Sequence, residues 1–110
     1  MEEITQDILK EFKERMHITH SGEDDNLKRL LSFSVSAVQS NCGPFNITGE
    51  TDIDNRAKEL VFERTRYAYN DAVEYFEDNF LSEIVGLGLD IEMKRMDDET
   101  TTTTTTDGGG

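Results

Sequence analysis

His17 and His20 stand three apart in "HITH", with Glu14 and Asp24 close by, and imidazoles beside carboxylates at such spacing are the raw material of a metal cluster. They straddle a helix end, however, and no Cys-x-x-Cys or His-Glu-x-x-His pattern accompanies them, so no metal site is expected. "GEDDN", Gly22 to Asn26, has the carboxylate density of a calcium loop but lacks the glycine and terminal glutamate at the required spacing; helix capping accounts for it better. Cys42, beside Gly43 and Pro44, has no cationic neighbour in sequence to lower its thiol pKa, and reads as a buried or idle thiol. "GLGLD", Gly86 to Asp90, lacks the spacing and the preceding strand of a phosphate-binding loop. No convergent set of reactive groups is left, so the chain reads as a non-enzyme that uses no cofactor.

The remaining candidates are the arginines and tyrosines of "RTRYAY", Arg64 to Tyr69, which would suit nucleic-acid binding, a partner protein or helix packing. Arg64 and Arg66 point about 200° apart on a helix and cannot form one patch. Between Arg56 and Phe80, Arg56, Lys58, Arg64 and Arg66 are outnumbered by Glu59, Glu63, Asp71, Glu74, Glu77 and Asp78. A formal net charge of -13 repels nucleic acid and anionic membrane at long range, which argues against direct readout of DNA or RNA. Two roles stay open for these arginines: local pairing with Glu63 or Asp71, or a crossing to a carboxylate on a neighbouring subunit, where the guanidinium suits bidentate contact.

The elements that must position these residues follow from apolar spacing. Ile8, Leu9, Phe12 and Met16 predict a first helix between Thr5, its N-cap, and His17, with Asp7 at the positive end of the dipole. Leu27, Leu30, Leu31, Val35 and Val38 mark a second helix ended by "NCGP"; its serines are weak helix formers, so it relies on packing. "GPFNITGETD" reads as a loop with a little extended structure. Asp52 or Asp54 then caps a long helix over Asn55 to Phe80. Its principal face is Ala57, Leu60, Val61, Ala68, Ala72, Tyr75 and Phe76, with Phe62, Tyr69, Val73 and Phe80 extending it around one flank. That arc is wider than one bundle contact needs, and a neighbouring subunit is the economical cover. "LSEIVGLGL" predicts a short helix weakened or ended by Gly86 and Gly88, and the alternation at Ile91 and Met93 predicts a short strand or arm. From Asp97 onward the low-complexity run has no apolar residue, which predicts a mobile tail able to become extended against a partner.

The expected fold is therefore mainly α: a small bundle of three to four helices with a long central helix, a short loop or β-arm and an extended C-terminal tail, divided into a helical domain over residues 1–93 and a tail over 94–110. At 110 residues there is room for one small domain, for which oligomerisation is a natural support. No apolar run approaches a membrane span, and "MEEIT" lacks the basic and apolar regions of a signal peptide, so synthesis in a reducing cytoplasm is expected.

"EDDNLKRLLSFSVSAVQSNCG", followed after a short loop by "KELVFERTRYAYNDAVEYFEDNFLSEIVGLGLDI", resembles the head-tail connector (adaptor) family of long-tailed bacteriophages, closest to versions from phages of Gram-positive hosts. The likeness spans roughly Ile4 to Ile91. The acidic start of helix two and "RTRYAYNDAVEYFEDNF" are its specific parts; "SFSVSAVQS" is more serine-rich than the family's helix, and the threonine and glycine tail has no counterpart. The resemblance implies a structural virion protein of the neck, made in the host cytoplasm. Such a protein forms a dodecameric ring beneath the portal, lengthens the DNA exit channel and meets the stopper or tail-completion protein. Genomic DNA would pass without specific binding, along a wall whose negative charge repels phosphate. Under this reading the subunit-interface candidates are Phe62, Arg64, Arg66, Tyr67, Tyr69, Val73, Phe76 and Phe80. The alternative, from another class, is an acidic helical binding module such as a DNA mimic or an inhibitor of a basic site.

Overall fold

A computed structural model describes the backbone of residues 4–108 and the side chains of residues 4–98. It is mainly helical, and no strand occurs among the described residues. Helix α1 covers Gln6–Met16, α2 Asp24–Cys42, α3 Asp52–Tyr69, a one-turn α4 Phe76–Asn79 and α5 Leu81–Gly108; a 3-10 turn at Val73–Tyr75 precedes α4.

The first two helices form as their spacing predicts. Thr5 caps α1, its hydroxyl accepting from the Ile8 amide at 3.2 Å. The helix stops at His17, which adopts φ 60°. There the His17 and Ile18 amides donate to the carbonyls of Glu14 and Lys13, a Schellman closure that satisfies otherwise orphaned carbonyls. α2 buries Leu27, Leu31, Val35 and Val38. Its serine at 34 is explained by a partner: Ser34 Oγ lies 2.9 Å from Thr65 Oγ1 on α3, and Thr65 donates to the Val61 carbonyl. Both hydroxyls are fully buried, so each needs such a bond.

The segment between α2 and α3 is a loop rather than a β-arm. Asn46 organises it, accepting from the Thr48 amide and hydroxyl, while its own amide donates to Asp54 Oδ1. Ile47 is wholly buried and pins the loop to the core. The cap of α3 is Thr51, not Asp52 or Asp54: its hydroxyl accepts from the Asp54 amide at 3.0 Å.

Three expectations are corrected further along. The helix expected to run unbroken from Asn55 to Phe80 ends at Tyr69. Asp71 adopts φ 59°, and the Asp71 and Ala72 amides donate to the Ala68 and Tyr67 carbonyls, a second Schellman closure. "YND" held the signal, because Asn and Asp tolerate the left-handed region better than other side chains. Tyr75, expected on the inward face, is accordingly exposed. Second, Gly86 and Gly88 do not end the last helix, and Ile91 and Met93 are helical rather than extended. Third, the backbone of residues 97–108 continues α5 instead of forming an extended tail; Gly109 and Gly110 lie outside the described residues. A helix already nucleated by packing adds one hydrogen bond per residue, so weak formers such as threonine can be carried at its end.

The core joins α2, α3 and α5, with α1 packed against α2 and α3. Phe12 of α1 meets Phe62 of α3 edge to face at 5.5 Å. Around this contact Arg15 pairs with Glu59 and Glu63, Lys58 with Glu11, and Lys13 with Asp24 at 2.6 Å. These pairs are partly exposed and set orientation more than they stabilise.

Candidate functional site

Helix α5 has two apolar faces, and the chain covers one of them. Ile84, Leu87 and Ile91 point inward and are buried. They seat the helix against the end of α2, where Cys42 Sγ donates to the Ile84 carbonyl at 3.4 Å. Leu81, Val85, Leu89, Met93 and Met96 are each more than half exposed. At about 100° per residue, Leu81, Val85, Leu89 and Met93 advance only about 40° per step and form one continuous i+4 ridge. The neighbouring row is Ser82, Gly86 and Asp90, two small side chains and an acid. Ser82 and Gly86 also line a groove of 330 Å³ between α3 and α5, whose apolar floor is Leu60, Phe80 and Leu87. Two acids beside the ridge are already paired: Arg56 Nη1 lies 2.6 Å from Asp90, and Arg95 bonds Glu92, which holds that carboxyl below its usual pKa. The arrangement offers a docking surface of apolar ridge and furrow.

The residues singled out from sequence as interface candidates do not share one surface. Phe62 and Phe76 are enclosed, at 0 % and 1 % exposure, so the chain's own core consumes them and leaves no surface for a subunit. Tyr67, Phe76 and Phe80 form an aromatic cluster, with Phe76 and Phe80 stacked at 5.0 Å and Tyr67 edge-on to both. Tyr67 also accepts from Asn79 at 2.9 Å. Tyr69 is half-buried and donates to Glu23 at 2.8 Å, a bond that raises its pKa. Val73 is on the surface.

The two arginines have separate employments. Arg66 pairs with Glu63 at 2.6 Å and lies over the Tyr67 ring, which is the local role open to it from sequence. Arg64 bonds neither Glu63 nor Asp71; its Nη1 donates to Ser34 Oγ at 3.2 Å. Burial lowers its pKa, partly offset by Glu77. The aromatic arc read as too wide for one bundle contact is thus largely used up when α4 folds back, with Val73 and Tyr75 left exposed, and the longest aligned row of exposed apolar side chains lies on α5. Its i+4 spacing was visible in the sequence, but Gly86 and Gly88 masked it by suggesting that the helix stopped.

Among the described residues, no group of three or more His, Cys, Asp or Glu side chains could hold a metal. His17 occupies the end of α1, and His20 lies 3.9 Å from Glu23. "GLGLD" is helix interior, without the free backbone amides of a phosphate loop. Cys42 is buried, which raises its thiol pKa and suppresses the thiolate. No described helix is long and apolar enough to cross a membrane. No family model, curated protein or solved structure matches the chain.

Proposed function

We propose that this chain is a structural assembly protein that works by protein–protein contact, and that its place is the neck of a long-tailed bacteriophage, as an adaptor between the portal and the stopper or tail-completion protein. The observation that carries the assembly role is the uncovered ridge Leu81, Val85, Leu89, Met93 and Met96, an apolar surface aligned along one helix. The neck assignment rests on the likeness of "RTRYAYNDAVEYFEDNF" and the helix-two segment to connector proteins. The net charge of -13 supports a conduit, because phosphates slide past an acidic wall without adhering. A DNA mimic needs rows of free carboxylates, whereas Glu11, Asp24, Asp52, Glu59, Glu63, Asp90 and Glu92 are drawn into pairs.

The test is co-sedimentation of the full chain with purified portal rings, beside a mobility-shift titration with duplex DNA at low and high salt. Portal binding without DNA retention is expected. Salt-sensitive DNA binding with no association to portal overturns the neck assignment.

A further inference from the structure

We infer that the free protein pairs with a second copy of itself through α5, the ridge of each copy lying in the Ser82–Gly86 furrow of the other. The contact is self-complementary: one helix carries both the large row, Leu81, Val85, Leu89 and Met93, and the small row beside it. Ridges and furrows along i+4 rows interdigitate at a crossing of about 50° in the commonest class of helix packing. Because the two rows share one face, a second copy turned over by a two-fold axis meets both at once. Such a contact closes at two copies, unlike the head-to-tail contact of a ring.

Gly86 points the same way. A glycine inside a helix is unfavourable relative to alanine, and nothing among the described residues requires it. A Cβ there would meet only Arg56 Nη2, at 3.9 Å. Gly88, by contrast, faces the backbone of Asn41 and Cys42 at 3.6–3.8 Å, so its small size serves the internal approach of α2. The open side of Gly86 leads into the apolar groove over Leu60, Phe80 and Leu87, which gives the partner's ridge side chains a floor.

Area and charge both admit this occupant. The four ridge residues together with Met96, each more than half exposed, offer roughly 500 Å² per copy, so a pair that covers them completely buries at most about 1,000 Å², near the lower bound of a specific interface. Of the acids around the contact, Asp90 and Glu92 pair with Arg56 and Arg95, and Glu59 and Glu63 with Arg15, all within their own copy, while Glu83 stands on the rim of the groove. Residual repulsion between two copies of charge -13 is screened within about 8 Å at physiological salt, so added salt strengthens the pair.

Sedimentation equilibrium of the full chain tests this. At about 100 µM protein the expected mass is twice the 12.5 kDa of the monomer. Leu89→Glu and Gly86→Leu should each weaken pairing at least tenfold while the helical circular dichroism is retained, since Leu89 is exposed and the one atom within 4 Å of a Cβ at position 86 is the tip of the Arg56 side chain. A monomer at every concentration, a closed assembly of more than two copies, or a dimer indifferent to both substitutions overturns the inference. Pairing does not rest on the neck assignment, and portal binding by the wild-type chain bears on that assignment alone.

Discussion

Replacing glycine by alanine at position 43 and at position 86 should change stability in opposite directions. Gly43 follows α2 with φ 116° and ψ -177°, a region that is nearly glycine-only, and forcing another residue into it costs about 1–3 kcal/mol. A Cβ on Gly43 would also stand 2.9 Å from Ile91 Cγ2, so α5 has to shift at one of its three anchoring residues. Overpacking of that kind adds about 1–3 kcal/mol. Since each kcal/mol is worth about 4–8 °C in a domain of this size, Gly43→Ala should lower Tm by at least about 8 °C. At Gly86 the backbone is helical and the nearest atom is the tip of Arg56, so alanine recovers helix propensity of about 0.5–1 kcal/mol without a clash. Gly86→Ala should therefore raise Tm by roughly 2–8 °C. The assay is thermal melting by circular dichroism, repeated at two protein concentrations so that pairing is separated from folding. A Gly43→Ala protein melting within about 2 °C of wild type would refute the approach of Ile91 to the loop. A Gly86→Ala protein that melts lower would refute the continuity of α5.

Phe76→Ala should destabilise the monomer by about 3–5 kcal/mol in urea unfolding, because Phe76 is 1 % exposed beneath Phe80 and Tyr67; a variant of wild-type stability that has lost only its partners would return Phe76 to the surface. The Cys42 thiol should react with a disulfide reagent at pH 8 at least about tenfold more slowly in the native than in the unfolded chain; equal rates would contradict its burial. Its folded pKa is raised by burial above the ordinary value of 9.0. Its contribution to stability is therefore fully present below pH 9 and declines as pH rises through the folded pKa; a Cys42→Ser variant with an unchanged alkaline decline would show that other groups cause it.

Local chemistry was enough to specify the first half of the molecule. Thr5 and the apolar set Ile8, Leu9, Phe12 announce α1, and Leu27, Leu31, Val35, Val38 announce α2, because a cap bond and a one-sided apolar face are settled within a few residues. The helical class was legible for the same reason. The second half depended on what packs against what. A broad apolar arc on one long helix and two shorter elements folding onto each other bury the same Phe62, Phe76 and Phe80. Only Asp71 in the left-handed region, closed by bonds to Tyr67 and Ala68, decides between them. Gly86 and Gly88 read as helix stops because propensity is a local quantity, whereas α5 is held by the burial of Ile84, Leu87 and Ile91 against distant partners. The candidate surface was hidden with it. Leu81, Val85, Leu89 and Met93 form a ridge only if the backbone stays helical through both glycines, and that condition was met by tertiary packing.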